Sequence, residues 1–284
     1  MFALEDDNIK YAVIGDPVAH SVSPAMQNAG FMAAGLSERY GKYHVKNDEL
    51  AEFVEFARKN LYGFNATVPH KSALIPLLDE VAPAAQQANS VNTVIVRNGR
   101  LYGDSTDGYG LESALKEAFD LDIANSNIVM LGAGGAAQAT AFEFVQRKAK
   151  RLTIVNRTRS KAEALAEQLS GKSTVLEALG NDEYSAIQTA VAACDVVIQA
   201  TSAGLKASDA PPIELDLLKG AAAVFDMIYH TTAVQEFARS NNIPCADGRA
   251  MLLHQGAKSY EIWFNEAAPV EVMRNALIQA IRNR

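Results

Sequence analysis

Apolar residues occur along this chain in two kinds of segment that follow one another repeatedly. Short runs of wholly or mostly apolar residues, such as residues 128–131 and 152–155, have the length of buried strands. Longer segments, such as residues 48–59 and 136–147, repeat apolar residues at helical spacing. This alternation predicts an α/β fold with parallel sheets that carry helices on both faces.

The predicted elements extend over nearly the whole chain. Strands are predicted at residues 11–14, 39–45, 63–67, 94–97, 101–102, 128–131, 152–155, 196–200 and 223–227. Helices are predicted at residues 24–34, 48–59, 70–78, 83–88, 111–119, 136–147, 161–169, 184–193 and 232–240, and over most of the chain beyond 248. Asn98-Gly99, between two apolar runs, predicts a tight hairpin turn.

A glycine-rich turn separates one predicted strand from the helix that follows it. The turn, Gly132-Ala133-Gly134-Gly135-Ala136, lies within a strand–turn–helix–strand unit of about 30 residues. Glycine at 132 permits a tight turn, and glycine at 134 lets the backbone approach a pyrophosphate. The free N–H groups of the helix N-terminus attract phosphate. The unit therefore predicts a dinucleotide-binding domain.

The residues after the second strand of this unit indicate which dinucleotide binds. An NAD site commonly has an acidic residue there, but this chain has Asn156, followed by Arg157 and Thr158, with Arg159 and Lys161 close behind. Guanidinium groups bind a 2′-phosphate, which a carboxylate would repel. The sequence therefore favours NADP. The alternative is a solvated basic turn in which Thr158 or Ser160 caps the next helix.

Composition narrows the class of protein. At 284 residues the chain suits two domains, and its 49% hydrophobic and 21% charged residues are ordinary for a globular protein. A net charge of -7 argues against nucleic acid as the main partner. Two cysteines, Cys194 and Cys245, are too few for a disulfide framework or a zinc site. No apolar run has the length of a membrane span, and the acidic N-terminus does not resemble a signal peptide, so we expect a cytoplasmic protein.

Polar residues cluster just after several predicted strands, where open α/β sheets place ligands. The loops are residues 15–23, 65–71, 89–93, 105–107 and 248–255. They hold hydroxyls, amides, a lysine and carboxylates, and the chain contains neither HExxH nor GxSxG. This chemistry predicts recognition of a small polyhydroxylated molecule, with proton transfer rather than covalent attack.

At these loops the sequence resembles the shikimate dehydrogenase family along nearly its whole length. The matching stretches are VIGDPVAHSVSP, GFNATVPHK, NSVNTV, GDSTDGYG, GAGGAA, VNRT, ATSAG and DGRAMLLHQG. The resemblance implies NADPH-dependent, reversible reduction of 3-dehydroshikimate to shikimate in aromatic amino-acid biosynthesis. It also implies a substrate domain at residues 1–107, a Rossmann-type NADP domain at 108–240, and helices at 241–284 that return toward the substrate domain, with a cleft between the domains.

Lys71 and Asp107 match the family's catalytic pair. As hydride reaches a ketone carbon, negative charge develops on the oxygen, and a proton donor must lie within hydrogen-bonding reach. An ammonium group can stabilise that charge and deliver the proton, while a neighbouring carboxylate keeps the lysine charged and in place. Taken alone, Lys71 would be a surface lysine and Asp107 a helix cap.

Other residues match ligand-binding positions of the family. By resemblance, Ser21 and Ser23 hold the substrate carboxylate, Thr67 lies beside the substrate, Asn92 and Gln255 bind substrate hydroxyls, and Tyr229 lies near the carboxylate. The cofactor positions are the glycine turn, residues 156–158, Thr201, and Gly248 and Met251 near the nicotinamide. The alternatives are capping for the serines, packing for Thr67 and core packing for Met251.

Several positions depart from the family's usual residues. They are Gln27 for histidine, Ala66 for valine, Asn89-Ser90 for Gly-Ala, Ser105 for asparagine, Thr231 for proline and Val234 for threonine. Because several lie in the substrate loops, oxidation of quinate or a related cyclic polyol, perhaps with NAD, stays open. So does a non-catalytic sensor of NADP or a metabolite. A monomer or a homodimer is expected, and no metal.

Overall fold

The chain forms two compact units. The computed structural model describes residues 2–4, 6–206 and 208–283. One unit runs to Gly110 and includes the chain from Leu252 onward, and the other is Leu111–Met251. The boundaries predicted from the sequence, after residues 107 and 240, stay predictions. In the structure Asp107 begins a helix, and residues 245–247 add a strand to the second sheet.

The elements follow the α/β order. The strands are β1 (Ile9–Gly15), β2 (Arg39–His44), β3 (Gly63–Ala66), β4 (Glu80–Val81), β5 (Thr93–Arg97), β6 (Arg100–Asp104), β7 (Asn127–Leu131), β8 (Arg151–Asn156), β9 (Val175–Gly180), β10 (Val196–Gln199), β11 (Val224–Asp226) and β12 (Cys245–Asp247). The helices are α1 (Ser23–Ala33), α2 (Leu50–Asn60), α3 (His70–Ala73), α4 (Pro83–Gln87), α5 (Asp107–Phe119), α6 (Gly135–Gln146), α7 (Arg159–Gln168), α8 (Tyr184–Ala192), α9 (Ala233–Ser240), α10 (Arg249–Phe264) and α11 (Val270–Arg282). The predicted α/β class is confirmed.

The first unit contains a mixed sheet of order β2-β1-β3-β5-β6-β4. Strand β1 is parallel to β2 and β3, whereas β5 is antiparallel to β3 and β6. The antiparallel pairs are present because β5 and β6 form the predicted hairpin. Asn98 and Gly99 have φ of 52° and 72°, which a two-residue primed turn requires.

The register of this sheet collects several loops at one edge. Ile14 pairs with Ala66, Asn65 with Thr93, and Thr93 with Asp104. The carboxyl ends of β1, β3 and β6 and the start of β5 therefore lie side by side. The loops that carry the predicted substrate residues of this unit begin or end at that edge.

Both faces of this sheet are covered, which explains its apolar strands. On β1, Ala12 and Ile14 pack into one core cluster with α2, while Tyr11 and Val13 pack into another with Tyr260 and its neighbours on α10. The C-terminal helices are thus part of the first unit's core. No helix in the described part of the chain is both long and apolar enough to cross a membrane.

The second unit contains a parallel sheet of order β12-β11-β10-β7-β8-β9. The order reverses between β7 and β10, which is the switch point at which doubly wound sheets bind ligands. The sequence analysis missed β9 and β12. Strand β9 lies at the edge and is largely half-exposed, and β12 has only three half-buried residues, so neither gives a buried apolar run.

Some predicted helix boundaries differ from the structure. Ser23 was considered as a cap, but it is the first residue of α1, and Val22 stands at the N-cap without a side-chain cap bond. The segment 70–78 is not one helix: α3 ends at Ala73 and a 3-10 turn follows at Ile75–Leu77. Pro76, at the start of that turn, lacks the N–H that a continuing helix would use.

Asn89 ends α4 in a left-handed conformation, with φ of 48°. The Ser90 N–H donates to the Ala85 carbonyl (3.1 Å) and the Asn89 N–H to the Gln86 carbonyl (3.2 Å). This is the Schellman arrangement, in which glycine is the usual residue and asparagine is tolerated. The departure from the family's glycine at 89 therefore preserves the backbone conformation.

We expect Asn89→Val to lower the free energy of unfolding by about 1–2 kcal/mol, because a β-branched side chain is strained in the left-handed region. Asn89→Gly should keep the stability within about 0.5 kcal/mol of the parent. Denaturant unfolding measures both. Ala84→Val, at an exposed right-handed position of the same helix, is the matched control. Equal losses for the two valine variants would contradict this assignment.

Candidate active site

Lys71 and Asp107 form an ion pair in the first unit. Lys71 is on α3, just beyond β3, and Asp107 is the first residue of α5, just beyond β6. The Lys71 Nζ lies 2.5 Å from Asp107 Oδ2. The lysine side chain is 32% exposed and the carboxylate 15%. The ammonium group is therefore accessible to both a ligand and water, while the carboxylate is largely shielded from solvent.

Asn92 holds the second oxygen of Asp107. Its Nδ2 donates to Asp107 Oδ1 at 2.9 Å and lies 3.3 Å from Gln255 Oε1 on α10. Its Oδ1 accepts from the Thr106 backbone N–H at 2.8 Å. Because a backbone N–H can only donate, this contact fixes which way the Asn92 amide points. The structure thus brings together four residues predicted from sequence.

Ser21, Ser23 and Thr67 belong to loops that leave the same sheet edge. The Ser21 Oγ accepts from the Ser23 N–H at 3.3 Å, and both serines are half-buried at the start of α1. Thr67 follows β3, and its methyl carbon fills the space beside Gly15, where an added Cβ would come within 2.5 Å of it. Packing against Gly15 therefore explains the Thr67 methyl group. The contacts of Ser21, Ser23 and Thr67 with substrate stay predictions.

His70, next to Lys71, has a structural position. Its ring is fully buried, and Nε2 lies 2.6 Å from the Val45 carbonyl. This contact joins the start of α3 to the end of β2. Its role is therefore to hold the start of α3 in place.

The glycine turn of the second unit follows β7 at the switch point. Gly132 has φ of 116°, and an added Cβ would lie 3.0 Å from Thr201 Cγ2. An added Cβ at Gly134 or Gly135 would meet no atom of the described chain within 4 Å. Packing within the chain therefore requires glycine at 132 but does not require it at 134 or 135. Ala137, at the third position of the motif, is fully buried.

The open space at Gly134 and Gly135 fits a pyrophosphate. Both glycines are exposed at the N-terminus of α6, and the N-cap Gly134 has no side chain to satisfy the free N–H groups. A phosphate can approach such backbone donors only where no Cβ intervenes. These residues, with the neighbouring Ala133 and Ala136, could hold the diphosphate of a dinucleotide.

The basic turn after β8 separates two kinds of arginine. Arg159 is paired with Glu163 (2.9 Å) and Glu183 (2.8 Å). Arg157 is exposed and has no ion pair among the residues that the structure describes. Thr158 occupies the N-cap of α7 without a side-chain cap bond, and the Asn156 amide donates to the Thr158 carbonyl at 2.9 Å. Arg157 and the Thr158 hydroxyl could therefore hold a 2′-phosphate.

The remaining predicted cofactor residues lie around the same sheet. Thr201 follows β10, and its Oγ1 accepts from the Ala203 N–H at 3.0 Å. Gly248 lies against the backbone of Met227, whose oxygen an added Cβ would approach to 2.1 Å, so the fold itself requires glycine there. Met251 is half-buried and packs against the core of this unit. Its contact with a nicotinamide stays a prediction.

Two buried polar residues that the sequence analysis missed hold the loops at this edge. Gln199, at the end of β10, accepts from the Thr201 N–H (2.7 Å) and donates to the Ala203 carbonyl (2.9 Å). Asp226, at the end of β11, accepts from the Thr232 hydroxyl at 2.5 Å and from the Ile228 N–H at 3.0 Å. Burial raises the pKa of Asp226, and these hydrogen bonds oppose that change. The sequence signal that could have identified both residues is a polar residue at the end of an apolar strand.

Asp226 also shapes the turn that carries Tyr229. Gln235 on α9 donates to the carbonyls of Ile228 and His230, each at 2.9 Å. Tyr229, between them, is half-buried in the second unit, with its ring edge-on to that of His230. Its proximity to a substrate carboxylate stays a prediction.

Comparisons with known proteins agree with the motifs. Family models match at residues 13–94 (shikimate dehydrogenase substrate binding domain), 113–237 (shikimate / quinate 5-dehydrogenase) and 248–278 (shikimate 5'-dehydrogenase C-terminal domain). A relative from Symbiobacterium thermophilum, named shikimate dehydrogenase (NADP(+)), is 40% identical over 278 residues, with 96% of this chain and 94% of the relative covered.

Solved structures give the same result. Shikimate dehydrogenase from Aquifex aeolicus has a TM-score of 0.87 and 34% identity, covering 97% of this chain and 99% of its own. The 5-ketofructose reductase of a Gluconobacter strain has a TM-score of 0.83 and 34% identity, covering 95% and 98%. The resemblance inferred from the motifs is confirmed, and the chain belongs to the shikimate dehydrogenase family.

Proposed function

We propose that this protein is an NADP-dependent shikimate dehydrogenase, an oxidoreductase that reversibly reduces 3-dehydroshikimate to shikimate and so serves aromatic amino-acid biosynthesis. The observation that carries the proposal is the Lys71–Asp107 pair, joined by Asn92 and Gln255 at one sheet edge, in a chain of this family. The name of the Symbiobacterium thermophilum relative, shikimate dehydrogenase (NADP(+)), specifies the same reaction class and cofactor.

Lys71 is the proton donor to the substrate carbonyl oxygen. When bound, NADPH supplies the hydride that reaches the carbonyl carbon. Negative charge then develops on the oxygen, and the Lys71 ammonium group neutralises it by transferring a proton. Because the side chain is partly exposed, water can return the proton to Lys71. In the oxidative direction the neutral amine accepts the hydroxyl proton.

Asp107 and Asn92 keep Lys71 in place. The carboxylate accepts one hydrogen bond from Lys71 and one from Asn92, on different oxygens. Its negative charge attracts the Lys71 ammonium group and so keeps the proton donor in one position. Gln255, whose Nε2 donates to the Leu252 carbonyl, still has a lone pair on Oε1 to orient a substrate hydroxyl.

Two hydroxyls suit the substrate carboxylate. Ser21 and Ser23 stand at the N-terminus of α1, whose partial positive charge favours an anion. The Ser21 oxygen accepts a backbone N–H, so its own proton can donate to a ligand. We propose Tyr229 and Thr67 as further contacts of the substrate, on the resemblance alone.

NADP would be held by residues of the second unit. The exposed glycines 134 and 135 leave room for the pyrophosphate, and Arg157 with Thr158 provides donors for the 2′-phosphate. Residues 201, 248 and 251 stay proposed contacts toward the nicotinamide half. We also propose a cytoplasmic location, since Cys194 and Cys245 are both free thiols. A monomer or homodimer stays a prediction.

Turnover with a panel of substrates tests the proposal. Shikimate and quinate are each assayed with NADP and NAD, and 3-dehydroshikimate and 5-ketofructose with NADPH. We expect the highest kcat/KM for the shikimate pair with NADP(H). A higher kcat/KM for quinate or for 5-ketofructose would show that this compound, and not the shikimate pair, is the preferred substrate. Quinate is named by one matching family model and 5-ketofructose by one similar structure. Saturable binding without any turnover would support a sensor.

A further inference from the structure

A connected set of buried polar side chains lies behind the Lys71–Asp107 pair. Its members come from three strands, two loops and one helix, and each is at most 7% exposed: Tyr40, Asn65, Asn92, Thr93, Thr106 and Ser259. Every buried side-chain nitrogen and oxygen of these residues has a hydrogen-bond partner. A fully satisfied buried network is rigid, since any rotation leaves a polar atom without a partner.

The hydrogen bonds around Asn65 have a fixed direction, because the Asn92 backbone carbonyl beside its amide can only accept. Burial raises the pKa of Tyr40 well above its ordinary value, so the phenol stays protonated. Its O–H donates to Asn65 Oδ1 at 2.7 Å. The Asn65 Nδ2 must then point the other way, where it donates to the Asn92 carbonyl and to Ser259 Oγ, each at 3.0 Å.

The contacts continue to the catalytic pair. Ser259 Oγ accepts from Asn65, donates to the Gln255 backbone carbonyl at 3.0 Å and lies 2.8 Å from Thr93 Oγ1. Thr93 donates to Asn92 Oδ1 at 2.9 Å, beside the backbone N–H and the hydroxyl of Thr106. The Asn92 oxygen therefore has three donors around it, which leaves only Nδ2 to face Asp107.

We propose that Thr93 and Ser259 are positioning residues for the reaction: together with the Thr106 N–H, their hydroxyls hold the Asn92 amide in the place from which it orients Asp107 toward Lys71. This role rests on the proposed activity of that pair. Ser259 lies one helical turn after Gln255 on α10, so its anchorage also holds Gln255 beside Asn92. Neither residue needs to touch substrate.

Removing the Thr93 hydroxyl tests this role. Thr93→Val keeps the shape of the side chain but removes one donor from the Asn92 oxygen, so the amide is held less firmly against the Asp107 carboxylate. We expect kcat for shikimate oxidation to fall by about 10- to 100-fold, with KM for NADP unchanged. Thr93→Ser should recover most of kcat because it restores the donor. Adding Ser259→Ala to Thr93→Val should cost little more, since the two act through one contact.

Thr153→Val is the matched control, because Thr153 is also a buried strand threonine whose hydroxyl donates to a side chain, Glu177 at 3.0 Å. It should leave kcat near that of the parent. The side-chain amide NMR signal of Asn92, assigned by its loss in Asn92→Asp, should move in Thr93→Val and not in Thr153→Val. If Thr93→Val does not fold, Ser259→Ala alone receives the same measurements.

The outcomes separate this role from the proposed activity. An unmoved Asn92 signal in Thr93→Val, or kcat within about two-fold of the parent, would overturn the positioning role. If the parent enzyme itself shows no turnover with any substrate, the proposed function fails, and the Asn92 signal alone still decides whether Thr93 orients that amide.

Discussion

Lys71→Ala should lower kcat for 3-dehydroshikimate reduction by about 100- to 10,000-fold, the range that a general acid supplies. KM for NADPH should change little, because the proposed cofactor contacts lie in the other unit. Removal of an interaction made only in the transition state lowers kcat and kcat/KM together. Steady-state assays that follow NADPH absorbance give both constants.

The control is Lys59→Ala, which removes an exposed lysine at the end of α2. It should keep the parent's kcat and thermal stability. Lys71→Ala should also remain folded, because Asp107 retains its bond from Asn92 and is partly open to water. A Lys71→Ala enzyme that turns over near the parent's rate would remove Lys71 from the proton-donor role.

Arg157→Ala should reduce the preference for NADPH over NADH by about 10- to 100-fold, since a hydrogen bond to a charged group contributes about 1.5–3 kcal/mol. The loss should appear in kcat/KM for NADPH, whereas kcat/KM for NADH should stay nearly constant. The reason is that only the 2′-phosphate gains from the guanidinium group. Kinetics with both cofactors measure the ratio.

Arg159→Ala provides the matched control in the same turn. Its guanidinium group is already engaged by Glu163 and Glu183, so we expect the cofactor preference to change by less than about three-fold. If Arg157→Ala leaves the preference unaltered, Arg157 does not read the 2′-phosphate. If Arg159→Ala abolishes the preference for NADPH instead, Arg159 rather than Arg157 binds the 2′-phosphate.

The sequence predicted the elements that bury apolar residues, and it missed those that do not. Strand β7 is a continuous apolar run and β8 is mostly apolar, so the two strands and the glycine turn between them could be recognised in the sequence. Strand β9 is largely half-exposed at a sheet edge, and β12 has three residues. Only pairing with a neighbouring strand defines such segments, and pairing depends on residues far away in the chain.

The candidate site divides in the same way. Lys71, Asp107, Asn92 and Gln255 were identified through motifs, and the structure brings these four together. Thr93 and Ser259 carry no motif of their own. Their role depends on a contact between residues that are 166 positions apart in the chain, which the sequence alone does not reveal. Three departures have a packing account: Asn89 caps α4, Val234 is buried in the core, and Gln27 donates to the Gly256 carbonyl.

Nothing in the structure explains why Thr231 and Ser105 differ from the family's usual residues. Ala66 and Ser90 are buried at the substrate edge of the first sheet, and the Ser90 hydroxyl has no partner in the part of the chain that is described. Ala66 directly precedes Thr67, and Ser90 stands two residues before Asn92.

Transfer of a labelled hydride tests the central claim most directly. The purified protein is incubated with 3-dehydroshikimate and NADPH that carries deuterium at the reactive carbon of the nicotinamide, and the product is weighed by mass spectrometry. The account predicts shikimate with one deuterium, formed in proportion to NADPH oxidised, and almost none with Lys71→Ala. Bound substrate and cofactor with no shikimate formed, or shikimate without the label, would contradict it.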